Sequence, residues 1–380
     1  MTSINEIEYK TFENTDYLIY KLLLSTVSGK PILINSISKN ELSGIQLYEV
    51  CLIRLVDKLT NGSEFIISPD GTKLTYKPGL LIGGKFDFKC NKEKSISYYL
   101  ELVMLLSPFC RDEVQIKFNG VSHKEEEKTV EFLNITMTNF MKTCLKNIHG
   151  ESIANVNINQ VKNSTYPCEL GIVKYSYTHE LGAQRIEPLL FQKFGKISKL
   201  VISYWRKNVP QIIINENIQC VKDKLTNFLP SHAIRAVELS GSRKFAKESK
   251  EGIETCNNAF GFIIHADTKY MRVASEHTCF SLGSQANVTR IQDMHGQIIQ
   301  IGNEALKTFS QSLFYNGAIS PDDQVCCLLF MSLSYGDISK CSLKTSIMLT
   351  RYRTYLNISK NILISITVKL AYLVGDCSHS

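Results

Sequence analysis

Ile53-Arg54-Leu55-Val56-Asp57-Lys58-Leu59-Thr60-Asn61-Gly62-Ser63, followed a little later by Tyr76-Lys77-Pro78-Gly79-Leu80-Leu81-Ile82-Gly83-Gly84, are the stretches that decide the fold. Leu47, Val50, Ile53, Val56 and Leu59 recur at helical spacing, so Gln46 to Thr60 reads as a helix with one apolar stripe. Asn61-Gly62 then supplies a C-terminal stop, because glycine accepts the left-handed conformation that ends helices. Glu64 to Ser68 and Lys73 to Tyr76 read as strands. Pro69-Asp70-Gly71 is the turn between them, with proline presetting φ and glycine tolerating positive φ.

Working outward, Tyr17 to Ser28 is a strand or a helix running into the turn Gly29-Lys30-Pro31. Ser95 to Leu106 reads as a second helix, Val114 to Asn119 as a strand, and Thr129 to Asn147 as a third helix. The glycine-turn ending of Leu59 to Gly62 is echoed by Leu313-Phe314-Tyr315-Asn316-Gly317 after the helical stretch Gly302 to Ser312. This points to repeated α+β units of roughly 80 residues. Between Pro188 and Glu276 the texture changes: a basic stretch, the sole tryptophan (Trp205) and a polar run from Ser240 to Asn258 all fall there. That region reads as an inserted module.

The 380-residue chain can bury one or two cores, and 44% hydrophobic with 21% charged residues is ordinary for a folded protein. The N-terminal stretch holds Glu6, Glu8, Glu13 and Asp16 with no apolar run, unlike a signal peptide. Asn361 to Gly375 is the longest apolar stretch; Lys369 interrupts it, and a spanning helix needs about 20 residues, so it reads as buried strand and no membrane role is expected. The twelve cysteines form no CxxC pair, and the eight histidines show no metal-ligand spacing, so neither a metal site nor a cofactor is expected. P-loop, GxGxxG, HExxH and GxSxG patterns are missing from the sequence. The acidic run Glu125-Glu126-Glu127 beside Lys124 and Lys128 reads as a solvated helix start.

The net charge of +7 is unevenly placed. Pro188 to Asn215 holds Lys193, Lys196, Lys199, Arg206 and Lys207 with no acid, and Ile338 to Gly375 holds Lys340, Lys344, Arg351, Arg353, Lys360 and Lys369 with no acid. Together they hold +11, which leaves −4 for the rest. Concentrated cations suit a polyphosphate partner, since each neutralised phosphate releases counterions. Charge alone does not separate that reading from a solvated face.

Leu22-Leu23-Leu24-Ser25-Thr26-Val27-Ser28-Gly29-Lys30-Pro31, the two opening stretches, Tyr98-Tyr99-Leu100-Glu101, Asp323-Gln324 through Leu333, and Asp337-Ile338-Ser339-Lys340 together resemble the RNA 3′-terminal phosphate cyclase superfamily, and specifically its eukaryotic cyclase-like branch of ribosome assembly. The resemblance implies an α+β fold, a core of repeated βαβαββ units with a small α/β domain inserted. On that basis residues 5–187 form the first part of the core, 188–276 the insert, and 277–380 the last part of the core. Active members place AMP on a histidine and pass it to an RNA 3′-phosphate, which needs a nitrogen nucleophile and donors for the phosphates.

Those features are altered here. At the place of the cyclase histidine the chain reads Cys341-Ser342-Leu343-Lys344-Thr345-Ser346-Ile347-Met348, where Lys344 is either a nucleophile or a surface cation. The glycine-rich loop is matched by Thr165-Tyr166-Pro167-Cys168-Glu169-Leu170-Gly171, with one glycine left and a carboxylate that would repel phosphate. Two basic positions of the N-terminal signature appear as Ile19 and Gln46. The basic–acidic–basic cluster proposed for pre-rRNA cleavage in this branch is matched by Thr350-Arg351-Tyr352-Arg353, which has cations and no acid. No catalytic residue is therefore assigned. Lys344, Arg351, Tyr352 and Arg353 are candidate RNA contacts, with Tyr352 as a stacking partner, and the alternative is a solvated basic face. The resemblance implies a non-catalytic factor of the small-subunit processome, nuclear and nucleolar, needed for pre-rRNA processing and 18S rRNA and 40S maturation. Its implied partners are a processome GTPase and pre-rRNA, with the chain a monomer inside a large complex. The competing reading is an active RNA enzyme, a pre-rRNA endonuclease or an ATP-dependent cyclase.

Overall fold

The computed structural model describes residues 9–37, 44–146, 152–179, 186–193, 195–229, 233–239, 245, 258–268, 271–280, 291–314, 319–320, 323–334 and 338–342. The first unit runs β1 (Lys10–Glu13), α1 (Leu18–Ser28), β2 (Ile32–Asn35), α2 (Leu47–Leu59), a short β3 (Thr60–Asn61), β4 (Glu64–Ile67) and β5 (Leu74–Lys77). Its sheet order is β1-β2-β5-β4, with β1 and β2 parallel and β5 antiparallel to both neighbours. Tyr17 to Ser28 resolves as helix. In α2 the buried stripe is Leu52, Ile53, Leu55, Val56 and Leu59, while Leu47 is 68% exposed, so the apolar face is rotated towards the C-terminal turns. The helix stops at Thr60, which turns extended and sends its hydroxyl back to Val56 O at 2.9 Å, one residue before Asn61-Gly62.

A short β6 (Leu80–Leu81) pairs with β3 and leads into the second unit. That unit runs β7 (Gly84–Lys89), α3 (Ile96–Leu106), β8 (Val114–Gly120), α4 (Val130–Ile135), α5 (Met137–Cys144), β9 (Ala154–Lys162) and β10 (Gly171–His179). The sheet order β7-β8-β10-β9 repeats the order and directions of the first sheet. The repeated α+β units expected from the sequence are these βαβαββ units; the glycine-turn echo that suggested them falls at the end of α7 (Ile291–Phe314), with Tyr315 to Gly317 outside the described residues. The helix expected over Thr129 to Asn147 is divided at Thr136 (φ −88°, ψ −70°), whose N–H keeps the helical bond to Phe132 O at 2.9 Å and whose hydroxyl bonds the same carbonyl at 2.9 Å.

In the first two units α1 and α3 lie inside and the sheets face outward. Along α3 every residue but Tyr98 and Glu101 is buried, and Leu22, Leu23 and Leu24 of α1 are fully enclosed. In β8 Val114, Ile116 and Phe118 point to the core and Gln115, Lys117 and Asn119 away from it, the alternation of a sheet with one wet face. Each fully buried leucine or phenylalanine stabilises by about 1.5–3 kcal/mol relative to exposure.

β11 (Leu190–Phe191) opens a third unit, which the module interrupts: β12 (Ile197–Lys207), α6 (Gln211–Phe228), β13 (Ile234–Glu238), β14 (Ala259–Thr268), β15 (Arg272–Phe280) and α7 (Ile291–Phe314). The chain then passes through α8 (Gln324–Leu333) to β16 (Lys340–Cys341), which pairs in parallel with β11. The module's sheet order, β13-β12-β14-β15, differs from the core's. β11 belongs with β16, and α7 lies on the module, where Asn217 Nδ2 donates to Ile298 O at 2.8 Å and Ser275 Oγ to Ala305 O at 2.7 Å. Trp205 of β12 is fully buried against Gly261 of β14; a Cβ at 261 would stand 2.1 Å from the indole Nε1, so this close approach requires glycine. No helix among the described residues is long and apolar enough to cross a membrane.

Candidate nucleic-acid interface

The expected RNA contacts Lys344, Arg351, Tyr352 and Arg353 lie outside the described residues, as does Asn361 to Gly375. The strand leading to them is fixed. Lys340 N–H bonds Leu189 O at 2.8 Å, Ser342 N–H bonds Phe191 O at 2.7 Å, and Ser339 Oγ accepts from Leu189 N–H at 3.0 Å. Lys340 is exposed at this edge.

The loop from Thr165 to Gly171 sits where β8, β10 and the module meet. Tyr166 N–H bonds His123 O at 3.0 Å, and the Thr165 hydroxyl accepts from Lys207 Nζ at 3.1 Å. Tyr166 is 44% exposed with Lys124 Nζ 5.2 Å from its ring centre, a cation–π contact. Glu169 forms an ion pair with Lys89 at 3.7 Å. The remaining glycine, Gly171, has a packing reason: a Cβ there would come within 2.6 Å of Gly120 O.

Ile19 and Gln46 have structural employment. Ile19 is half-buried against the core, and Gln46 caps α2, its N–H bonding Glu49 Oε2 at 2.8 Å in a reciprocal capping box. Sequence reading passed over Lys21. It is buried on α1, donates to Asn14 O at 2.9 Å and Glu13 O at 3.3 Å, and lies over the Phe12 ring at 5.4 Å. Burial, partly countered by Asp16 and Glu49, brings its pKa down to about 8. The signal available was a lone lysine within the apolar run of a core helix.

The first basic stretch divides. Lys207 is buried, and Arg206 pairs with Glu238 Oε1 at 3.0 Å and bonds Val209 O at 2.8 Å, while Lys193, Lys196 and Lys199 are exposed. Glu127 is no solvated acid. Its Oε2 takes both the N–H and the hydroxyl of Ser95, each at 2.7 Å, at the start of α3, and Lys94 and Lys124 flank it at 3.3 and 3.8 Å.

At the seam between core and module, His123 is wholly enclosed. Its Nε2 is 3.1 Å from the Glu131 carboxylate, its Nδ1 is 2.8 Å from Ser122 Oγ, and its ring lies 4.3 Å from that of Trp205 and 5.3 Å from that of Phe245. Burial works against the Glu131 carboxylate, but the charge and hydrogen bond of His123 outweigh it and hold its pKa below the usual range. Glu276 of β15 takes the N–H of Thr129 at 3.0 Å and also its hydroxyl, and Arg272 bonds Ile135 O at 2.9 Å. These groups lock the module to α4. Among the described residues no three of His, Cys, Asp and Glu are grouped to hold a metal.

Two complete βαβαββ units, the paired strands of a third, and a module threaded between those strands define a multi-unit α+β protein with an insertion. The RNA 3′-terminal phosphate cyclase family profile matches residues 11–368, and the chain belongs to that family. It is 26% identical to the human "RNA 3'-terminal phosphate cyclase-like protein" over 331 residues, covering 87% of this chain and 82% of that one. It is 25% identical to "rRNA processing protein rcl1" of Schizosaccharomyces pombe over 336 residues, covering 87% and 84%. Over 125 residues it is 34% identical to "rRNA processing protein RCL1" of Saccharomyces cerevisiae, a match covering 33% and 34%.

Proposed function

We infer that this chain is a ribosome-assembly factor that acts in pre-rRNA processing, keeping the cyclase scaffold without its nucleotidyl-transfer chemistry. The observation that carries this is the pairing of names and positions. A relative named as an rRNA processing protein matches along 87% of the chain, while Ile19, Gln46 and Thr165 to Gly171, where the cyclase features would stand, serve the core, a helix cap and a loop that carries a carboxylate. The finer reading places it in the nucleolus, in the small-subunit processome, supporting 18S rRNA and 40S maturation. There it binds an assembly GTPase and contacts pre-rRNA through Lys344, Arg351, Tyr352 and Arg353.

Affinity purification of the tagged chain from nucleolar extract tests this: a GTPase and pre-rRNA should come with it, and recovery of neither overturns the reading. Incubation with labelled ATP tests the loss of chemistry. A stable AMP adduct that disappears with Lys344→Ala restores the enzyme reading, and site-specific RNA cleavage lost with Arg351→Ala/Arg353→Ala restores the endonuclease reading.

A further inference from the structure

The wet face of the second sheet forms a continuous polar surface. Its central row runs Asp87, Lys117, Lys174 and Asn159 across four strands in register. The next row runs Lys85, Gln115, Ser176 and Asn157. Lys85, Lys174, Asn157 and Asn159 are exposed, and Lys117 keeps 39% of its side chain in solvent.

The charges on this face are unbalanced. Lys117 and Lys174 stand directly opposite each other on β8 and β10, an arrangement that is unfavourable unless an anion lies between. Asp87 answers only one of them, at 3.1 Å from Lys117 Nζ. Among the described residues neither Lys85 nor Lys174 has a carboxylate partner within ion-pair distance. The other acids are at the rim: Glu169 against Lys89, and Glu113 held by Gln115 Nε2 at 3.2 Å. Apolar side chains enter only at one end, as Ile172 and Val161.

The chemistry of the face selects its partner. Lysines and amides are the side chains that bind phosphate oxygens and sugar hydroxyls, and amides both donate and accept. No ring lies on these two rows to stack a base, and no tyrosine, tryptophan or arginine is there to anchor a protein partner. From Lys85 to Lys89 is about 13 Å along β7, and Lys174 lies about 10 Å across from β7, room for about three phosphates.

The geometry points to an RNA-binding surface on this sheet that grips the sugar–phosphate backbone through Lys85, Lys117 and Lys174 with the amides of Gln115, Asn157 and Asn159, and reads no bases. It is independent of the segment from Lys344 to Arg353 and of any place in ribosome assembly.

The test is fluorescence anisotropy of the purified full chain with labelled 20-mers of poly(U) and poly(A), titrated over salt. Lys85→Gln/Lys174→Gln removes two phosphate contacts, so the slope of log K against log salt should shallow by about 1.4, and affinity near 0.15 M salt should fall about tenfold. Asp87→Asn should tighten binding, and Lys85→Arg/Lys174→Arg should bind as the wild type does, with Trp205 emission reporting an unchanged fold in every variant. The inference is overturned if the glutamine variant keeps the wild-type slope and affinity. It is also overturned if the two homopolymers differ more than tenfold, or if polyglutamate binds with the same variant dependence while RNA does not. Failure of the nucleolar purification leaves this measurement untouched, and the reverse also holds.

Discussion

Removing the Glu131 carboxylate should unhinge the seam between core and module. In Glu131→Ala, His123 keeps its place beneath Trp205 and Phe245 but loses the partner 3.1 Å from its Nε2. Both groups are essentially out of solvent, at 0% and 3% side-chain exposure, so no water replaces the lost partner. Breaking a buried pair from one side costs about 3–5 kcal/mol, about a fifth or more of the stability of a typical domain. Trp205 is the sole tryptophan and lies against His123, so its emission reports on this seam directly. Urea unfolding followed by that emission and by circular dichroism should show the midpoint falling in both signals, with the tryptophan signal leading if the module opens first. His123→Ala should cost a similar amount, and the double variant less than the sum, because the two residues share one interaction. The pH dependence has a definite sign. The folded pKa of Glu131 lies below the ordinary 4.5, so its contribution is present above 4.5 and is lost as pH falls through the folded value; the gap between wild type and Glu131→Ala should narrow there. A loss under about 1 kcal/mol, as for a surface residue, or strictly additive variants, would refute this view of the seam.

Three further outcomes follow from the same packing. Gly261→Ala drives a methyl into the Trp205 indole and should cost about 1–3 kcal/mol or more by overpacking, read as a lower thermal midpoint. Burial, then Arg272, brings the pKa of His265 from 6.5 down to about 4, so stability should fall as pH drops from 6.5 towards 4, and His265→Gln should flatten that part of the profile. Burial pushes the Cys110 thiol up to about 12 and the thiols of Cys90, Cys144, Cys326 and Cys327 up as well. At a pKa of 12 rather than 9 the thiolate is about 1000-fold scarcer, so residue-resolved alkylation at pH 8 should spare these five until urea opens the core.

Much of the architecture was legible because it is written in local chemistry. Pro69-Asp70-Gly71 between two apolar runs gave the hairpin of β4 and β5, and the spacing of Ile53, Val56 and Leu59 gave α2. What escaped is set by tertiary contact. The apparently continuous helical pattern is divided at Thr136, although its N–H keeps the helical bond to Phe132 O. Glu127 looked like one of three solvated acids, yet a sequence does not show that Ser95 waits across the fold to be capped. That α7 packs on the module was not legible either, since it rests on the bonds of Asn217 and Ser275 to the carbonyls of Ile298 and Ala305. Of the candidate site, the sequence located the loop from Thr165 to Gly171 but not its surroundings. The basic stretch looked uniform, whereas Lys207 is taken inside to hold Thr165 and Arg206 is matched by Glu238. The enclosed His123 and Glu131, eight residues apart, carry no motif at all.

The most direct test of a scaffold without nucleotidyl transfer is depletion of the chain in the cells that express it, with pulse-labelling of rRNA and complementation. Mature 18S rRNA should fall while large-subunit rRNA is kept, the wild-type chain should restore it, and the rescuing chain, purified and incubated with labelled ATP, should carry no AMP. Unchanged 18S rRNA on depletion, or a stable AMP adduct on the rescuing chain, would contradict it.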